Sequence, residues 1–433
     1  MPTFGWYGDD FTGATDTLAT VARAGLRSML FFAVPQEQHL ARLGPLDALG
    51  IAGASRAMPP ARMAAELLPV GRFFQALGVR VMQYKCCSTF DSAPEIGSLG
   101  AALETLRPFF PNALRPVVGG QPNLGRFCLF SNLFAAAGTG GEVHRLDRHP
   151  TMRAHPVTPM AEADLRRHLR PQGLETVRAL HYPAYAAEPG VLERMLDELL
   201  AGGPDAVLLD VSREEDLLPI GQLLWRAAAA APLLAIGPSS VAQALATGWP
   251  GQPAGEAVVP QPAGTTEGPV FVMVGSLSPV TRQQVAQASS YQRLTADAAR
   301  LTGDAAYAAA LAEEACARLR QGADVLVETE MPSAPVPPAG QVAQATARFV
   351  AQVMRGRPVR RLGIAGGDTS SLAAQALDLW GLSYLGTLAP GVTLCRGHSD
   401  DPAMDGIELM LKGGQMGPPD LLEQFRARLP AAA

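Results

Sequence analysis

Apolar runs of strand length alternate along this chain with amphipathic stretches of helical length, and no other feature of the sequence restricts its fold as much. The runs Thr3–Tyr7, Leu26–Phe32, Ala48–Ala52, Val79–Tyr84, Ala206–Val211 and Leu233–Ile236 have the near-continuous apolar character of strands covered on both faces. Between them lie Gly13–Ala24, Ala61–Leu77, Val191–Ala201 and Glu214–Ala230, which carry apolar residues at helical spacing. Strand, helix and strand in succession imply crossover connections, hence a mostly parallel sheet with helices on both sides. A Pro- and Gly-rich stretch, residues 248–268, has no apolar period, and the alternation resumes after it. Strands are expected near Val270–Val274, Val325–Val327 and Leu362–Ala365, and helices near Ala305–Arg320, Val342–Arg355 and Ser371–Leu379. A chain of 433 residues exceeds what one core usually organises. We therefore expect two α/β domains, residues 1–247 and 269–433, joined by a linker over 248–268.

Composition removes several function classes. The net charge of −5 offers no general attraction to nucleic acid or to an anionic membrane, so an anionic ligand must be held by local groups. The longest apolar run, Ala227–Ile236, is too short to span a bilayer, and the N-terminus shows no basic leader with an apolar core, so a cytoplasmic location is expected. Five cysteines without a Cys-x-x-Cys pair, and seven histidines without a His-Glu-x-x-His pattern, argue against a disulfide framework or a structural zinc. Lysine is scarce: of 35 basic residues only Lys85 and Lys412 are lysines, so each stands out as a compact point charge that arginine has not replaced.

Chemistry-bearing residues gather where strands end. The first strand runs into Gly8-Asp9-Asp10-Phe11-Thr12-Gly13-Ala14, placing two acids at a strand-to-helix junction. A helix cap, with Thr12 as the capping residue, needs only one polar side chain, whereas two adjacent carboxylates suit hydroxyl binding or base catalysis. The run Val79–Tyr84 delivers Lys85, Cys86, Cys87, Ser88, Thr89 and Asp91 to the same edge, where Lys85 suits a carboxylate and Ser88 and Thr89 suit the oxygens of a polyhydroxy acid. Arg56 comes after the strand Ala48–Ala52 and is a third candidate there. The loop His144-Arg145-Leu146-Asp147-Arg148-His149, continued by Arg153 and His155, reads chiefly as a solvated connection. Gly237-Pro238-Ser239-Ser240 suits an anion or a serine cap equally. In the second half, Gly275-Ser276-Leu277-Ser278-Pro279, Gly366-Gly367-Asp368-Thr369 and Lys412-Gly413-Gly414 each bring small residues or a cation to a strand end. Exposed amides at such turns cradle phosphate, and Asp368 suits Mg²⁺. No Gly-x-x-x-x-Gly-Lys-Ser/Thr run occurs, and no Gly-x-Gly-x-x-Gly comes after the first strand, so a Walker-type or dinucleotide-binding site is not expected.

These motifs, in this order, resemble the four-carbon acid sugar kinase family, with the strongest matches at Gly8–Ala14, Gly275–Thr281, Ala365–Ser370 and Leu411–Gly417. The resemblance covers nearly the whole chain. It implies an N-terminal acid-sugar domain, a C-terminal ATP domain and an active site in the cleft between them. It further implies that Asp9 or Asp10, Arg56 and the segment Lys85, Cys86, Cys87, Ser88 and Thr89 touch the sugar acid. Ser276, Gly366, Gly367, Asp368, Thr369, Lys412, Gly413 and Gly414 would serve ATP and its Mg²⁺. Asp9, Asp10 and Asp368 compete for the role of catalytic acid–base. The expected partners are therefore a small sugar acid and ATP, with no nucleic acid and no membrane; a homodimer is left open. One departure affects the acid. Where many members continue the lysine segment with Arg-Gly-Asn, this chain reads Asp91-Ser92-Ala93, which leaves the carboxylate-pairing role to Arg56 or to the histidine loop. That departure motivates two rivals: a non-catalytic sugar-acid sensor on the same fold, and an aldolase or isomerase using Lys85 as a Schiff base.

Overall fold

The computed structural model describes residues 2–250, 268–275, 278–330 and 337–427 except Thr139 and Pro156. The linker expected over 248–268 therefore lies largely outside the described residues. Contacts divide the chain into two units, residues 1–258 and 259–433.

In the first unit the strands are β1 (Phe4–Gly8), β2 (Ser28–Phe31), β3 (Ala48–Ala52), β4 (Val81–Lys85), β5 (Pro116–Gly119), β6 (Arg126–Leu129), β7 (Asn132–Ala136), β8 (Val143–Arg145), β9 (Val177–Leu180), β10 (Ala206–Asp210) and β11 (Leu233–Gly237). Eight of them form one sheet in the order β2-β3-β1-β4-β11-β5-β10-β9, and every pairing in it is parallel. Strands β1, β3, β4, β10 and β11 are buried along their whole length, as strands covered on both faces must be. The chain passes from β1 to the outer strand β2, returns to β3 beside β1, then crosses to β4 on the other side, so β1 sits at a topological switch point. Register aligns the carboxyl ends there: Gly8 stands opposite both Ala52 and Lys85, and Lys85 opposite Gly237. That edge is where open parallel sheets bind ligands. Strands β6, β7 and β8 form a separate small antiparallel sheet.

The second unit contains β12 (Val270–Val274), β13 (Gln292–Asp297), β14 (Val325–Glu330), β15 (Arg361–Ala365), β16 (Gly381–Ala389), β17 (Val392–His398) and β18 (Glu408–Lys412). Their order is β13-β14-β12-β15-β18-β17-β16, parallel from β13 to β18 and antiparallel from β18 to β16. Val274 stands opposite Ala365, and Ala365 opposite Lys412, so the three glycine-rich junctions share one edge. The core beneath joins Val270, Val272, Leu326, Met410 and Phe425.

Most expected elements appear within two or three residues of their sequence bounds. The helix after β15 is an exception: it begins at Gly367, four residues earlier than expected, because Gly366 at φ 128° turns the chain directly into it. Strands β5, β9 and β13 and the antiparallel β16–β18 ribbon were not legible from apolar runs. β13 and β17, for instance, alternate buried and exposed residues instead of running apolar.

Candidate functional site

At the carboxyl edge of the first sheet the two acids after β1 meet the arginine after β3. Arg56 grips Asp9 with two nitrogens, Nε to Oδ2 at 3.1 Å and Nη2 to Oδ1 at 2.7 Å, and its Nη1 donates to Asp10 Oδ2 at 3.0 Å. Asp10 is the N-cap of the helix Phe11–Arg23: its Oδ1 accepts from the Gly13 amide at 2.8 Å and its Oδ2 from Thr12 Oγ1 at 2.6 Å. The capping residue is thus Asp10, not Thr12; the acid is extended (φ −144°, ψ 161°) and already aimed at the first turn.

Lys85, at the end of β4, is 3% exposed and donates through Nζ to the Cys86 carbonyl at 2.7 Å. Its ammonium lies over Gly13, where an added Cβ would fall 2.4 Å from Nζ and 2.5 Å from Asp10 Oδ1. Glycine at 13 therefore lets lysine and carboxylate share one small volume.

The two acids differ electrostatically. Burial pushes the Asp9 carboxyl up, and Arg56 does not fully reverse this. Burial acts on Asp10 too, but Arg56, Lys85 and the hydrogen bonds from Thr12 and Gly13 together hold it below the usual carboxylate range. Both acids have both oxygens engaged by donors, but Asp10 is held as an anion while Asp9 is the more readily protonated of the two.

Beyond Lys85 the chain makes a tight polar turn. Cys87 Sγ lies 3.0 Å from Thr89 Oγ1, Thr89 Oγ1 donates to Asp91 Oδ1 at 2.6 Å, and Phe90 adopts φ 56°. Ser88 is buried within it. The Cys86 and Cys87 thiols are both raised by burial, Cys87 to about 11, so neither is a nucleophile at neutral pH. The remaining first-half candidates take structural work. Ser239 Oγ meets Thr17 Oγ1 at 3.1 Å, while His149 and His155 accept through Nδ1 from nearby backbone amides.

In the second unit Lys412 ends β18 with its side chain fully buried, and Nζ donates to Thr281 Oγ1 at 2.9 Å. Thr281 donates to the Gly414 carbonyl at 2.8 Å; Ser278 donates to the same carbonyl and caps the helix Pro279–Gln287. Among the described residues no carboxylate pairs with this lysine, and burial lowers its pKa to about 8. Gly275 and Thr369 pack so closely that a Cβ on Gly275 would lie 2.3 Å from Thr369 Oγ1. The Gly366 amide donates to the Lys412 carbonyl at 2.9 Å, tying the second and third junctions together. Gly367 opens the helix after β15, and Gly413 accepts from the Met416 amide at 3.3 Å. Ser276 and the side chain of Asp368 lie outside the described residues.

A family model described as a sugar-binding N-terminal domain matches residues 4–245, and one described as a nucleotide-binding C-terminal domain matches residues 271–422. The chain belongs to the four-carbon acid sugar kinase family. Among its similar relatives are a 3-oxo-isoapionate kinase of Paraburkholderia graminis, 36% identical over 95% of this chain and 91% of the relative, and a 3-oxo-tetronate kinase of Methylobacterium radiotolerans, 32% identical over 96% of each. A solved structure from Salmonella typhimurium has the same fold, with a TM-score of 0.76 at 25% identity over 97% of this chain and 98% of its own.

The structure brings together Asp9, Asp10, Arg56 and Lys85 in the first unit, and Gly275, Thr369, Lys412 and Gly414 in the second. Sequence reasoning missed Thr281 as the partner of Lys412. It is three residues beyond Ser278 in a helical first turn, a spacing that signals two hydroxyls on one face.

Proposed function

We propose that this chain transfers the terminal phosphate of ATP to a hydroxyl of a 3-oxo sugar acid of the tetronate or isoapionate type. The observation that carries this reading is the near full-length match to relatives named as kinases of such acids, spanning both halves of the chain.

The residues then divide the work. The Lys412 ammonium, desolvated and bonded only to a hydroxyl among the described residues, offers its charge to the phosphates, beside the amides of the Gly275, Gly366 and Gly414 turns. Asp9 takes the proton of the attacking hydroxyl, since its carboxyl is the one whose pKa is raised. Arg56 and Asp10 fix that carboxylate in place. Thr89 and Ser88 orient the acid's oxygens. Asp368, in the first turn of the helix Gly367–Ala376, is the acid the chain would offer to Mg²⁺, which commonly takes one or two carboxylates beside phosphate oxygens. Bound there, Mg²⁺ would neutralise charge on the transferring and leaving phosphates. No helix among the described residues is long and apolar enough to cross a membrane, and an ATP-consuming sugar-acid kinase belongs in the cytoplasm, where we place it.

The test is ADP release by the purified protein with ATP, Mg²⁺ and a panel of erythronate, threonate, 3-oxo-tetronate stereoisomers and 3-oxo-isoapionate. Turnover with a 3-oxo acid is expected. Binding of both ATP and an acid without any turnover would favour the sensor, and borohydride trapping of an acid on Lys85 would favour Schiff-base chemistry instead.

A further inference from the structure

Three cations stand near the carboxyl edge of the first sheet, and two are already engaged. Arg56 gives three nitrogens to Asp9 and Asp10. Lys85 gives its ammonium to the Cys86 carbonyl beside Asp10. The third is Arg126, the first residue of β6. Its backbone is anchored to the loop after β5 by paired bonds with Gln121, at 2.8 and 3.2 Å, and Gln121 Nε2 in turn donates to Asp16 Oδ2 at 3.0 Å on the helix that Asp10 caps. A backbone clamp therefore holds this arginine against the same helix as the paired acids.

Its guanidinium lacks the partner that a buried cation normally has. Nη1 donates to the Leu124 carbonyl, Nε is sealed from solvent with no acceptor, and no carboxylate lies within ion-pair distance among the described residues. Cys87 and Asp91 of the turn after Lys85, together with Asp16, are near enough to act on its charge. Burial destabilises its charged form, and these more distant groups do not make up the loss. A partly buried, unpaired guanidinium beside a hydroxyl-lined turn is the arrangement that a planar, bidentate anion completes.

We propose that Arg126 holds the carboxylate of the acid substrate and is thereby a specificity-determining residue of this chain. The inference rests on the sugar-acid reading given above. Asp16 and Asp91 act on the guanidinium without pairing with it, and Lys85 serves Asp10 instead of the substrate carboxylate. The loop that carries the arginine, not the strand that carries the lysine, selects acids over neutral sugars.

Arg126→Met and Arg126→Lys in the full chain test this by steady-state kinetics and calorimetry, using the best acid of the panel and its uncharged carboxamide. For Arg126→Met, KM and Kd for the acid should rise about 100-fold, as expected when one partner of a close charge pair is removed. KM for ATP should stay within about twofold, and carboxamide binding should not change. Arg126→Lys should recover about tenfold of the loss, because a point charge replaces a planar fork. An unchanged acid Kd in Arg126→Met, or equal losses for acid and carboxamide, would overturn the inference and leave the kinase reading standing. A wild-type protein that binds acids but turns none over would overturn the kinase reading while the binding comparison still decides Arg126. A wild-type protein that binds no acid of the panel overturns both.

Discussion

The carboxyl edges of the two sheets meet buried charge in opposite ways. At the edge of the first sheet, Asp9 and Asp10 surround Arg56 and sit beside Lys85, so charge is cancelled locally before any ligand arrives. At the edge of the second, Lys412 is equally buried but meets only the hydroxyl of Thr281 among the described residues. A paired cluster holds reactive groups in fixed geometry at little net electrostatic cost. A lone desolvated cation is costly until an anion arrives, and its binding site is in that sense incomplete without phosphate. The acid-binding half is preorganised by its own side chains; the nucleotide-binding half leaves part of that task to its ligand.

The most forceful way to break this contrast is to remove the lone cation. Lys412→Met should lower kcat/KM for ATP by about a thousandfold, the scale of losing one preorganised electrostatic contact, and leave calorimetric binding of the acid unchanged. It should also leave the apo protein at least as stable as wild type, because an uncompensated buried charge is gone; a large fall in Tm would show that Lys412 is structural. Asp9→Asn should reduce kcat by about a hundredfold or more with little change in KM for ATP, the signature of a lost proton acceptor. An Asp9→Asn enzyme of wild-type kcat would pass the role to Asp10 or Asp368.

In the paired cluster the main cost should be to stability. Arg56→Ala strands two buried carboxylates and should cost about 3 kcal/mol in chemical denaturation at neutral pH. Much of that loss should be recovered in acid, where Asp9, with its raised pKa, protonates first. The lone cation predicts the opposite kind of pH response. Folding lowers the Lys412 pKa from 10.5 to about 8, so between those values the folded state binds fewer protons than the unfolded one, and this group's contribution to stability rises with pH across that window. ATP affinity should move the other way, falling as pH rises above about 8 and the ammonium is lost; the pH profile of kcat/KM for ATP reads this directly. Smallest of all, Gly13→Ala should raise KM for the acid about tenfold by forcing Lys85 and Asp10 apart, with no effect on ATP.

The paired cluster was readable in the sequence because its members come directly after fully apolar strands: β1, β3 and β4 announce themselves, and residues just past a buried parallel strand lie at the ligand edge. Lys412 was conspicuous through scarcity. What sequence could not supply was partnership. Nothing in the spacing of Asp9, Asp10 and Arg56 says that one guanidinium takes both acids, since that depends on register across β1 and β3. Arg126 was hidden for a different reason. It lies at the start of a half-buried hairpin strand without a continuous apolar pattern, in a chain where arginine is common and uninformative. Its significance comes from a missing partner, which only coordinates reveal.

The pair of lysines has a practical consequence. Because the chain holds only two ε-amines, Lys85 at the end of β4 and Lys412 at the end of β18, an acylating reagent has one such target in each unit. Each amine is nearly sealed from solvent, so its modification must wait for local opening. Peptide mass spectrometry after brief acylation would thus report occupancy of the acid and nucleotide halves separately, from a single sample, without a substrate analogue or an introduced label.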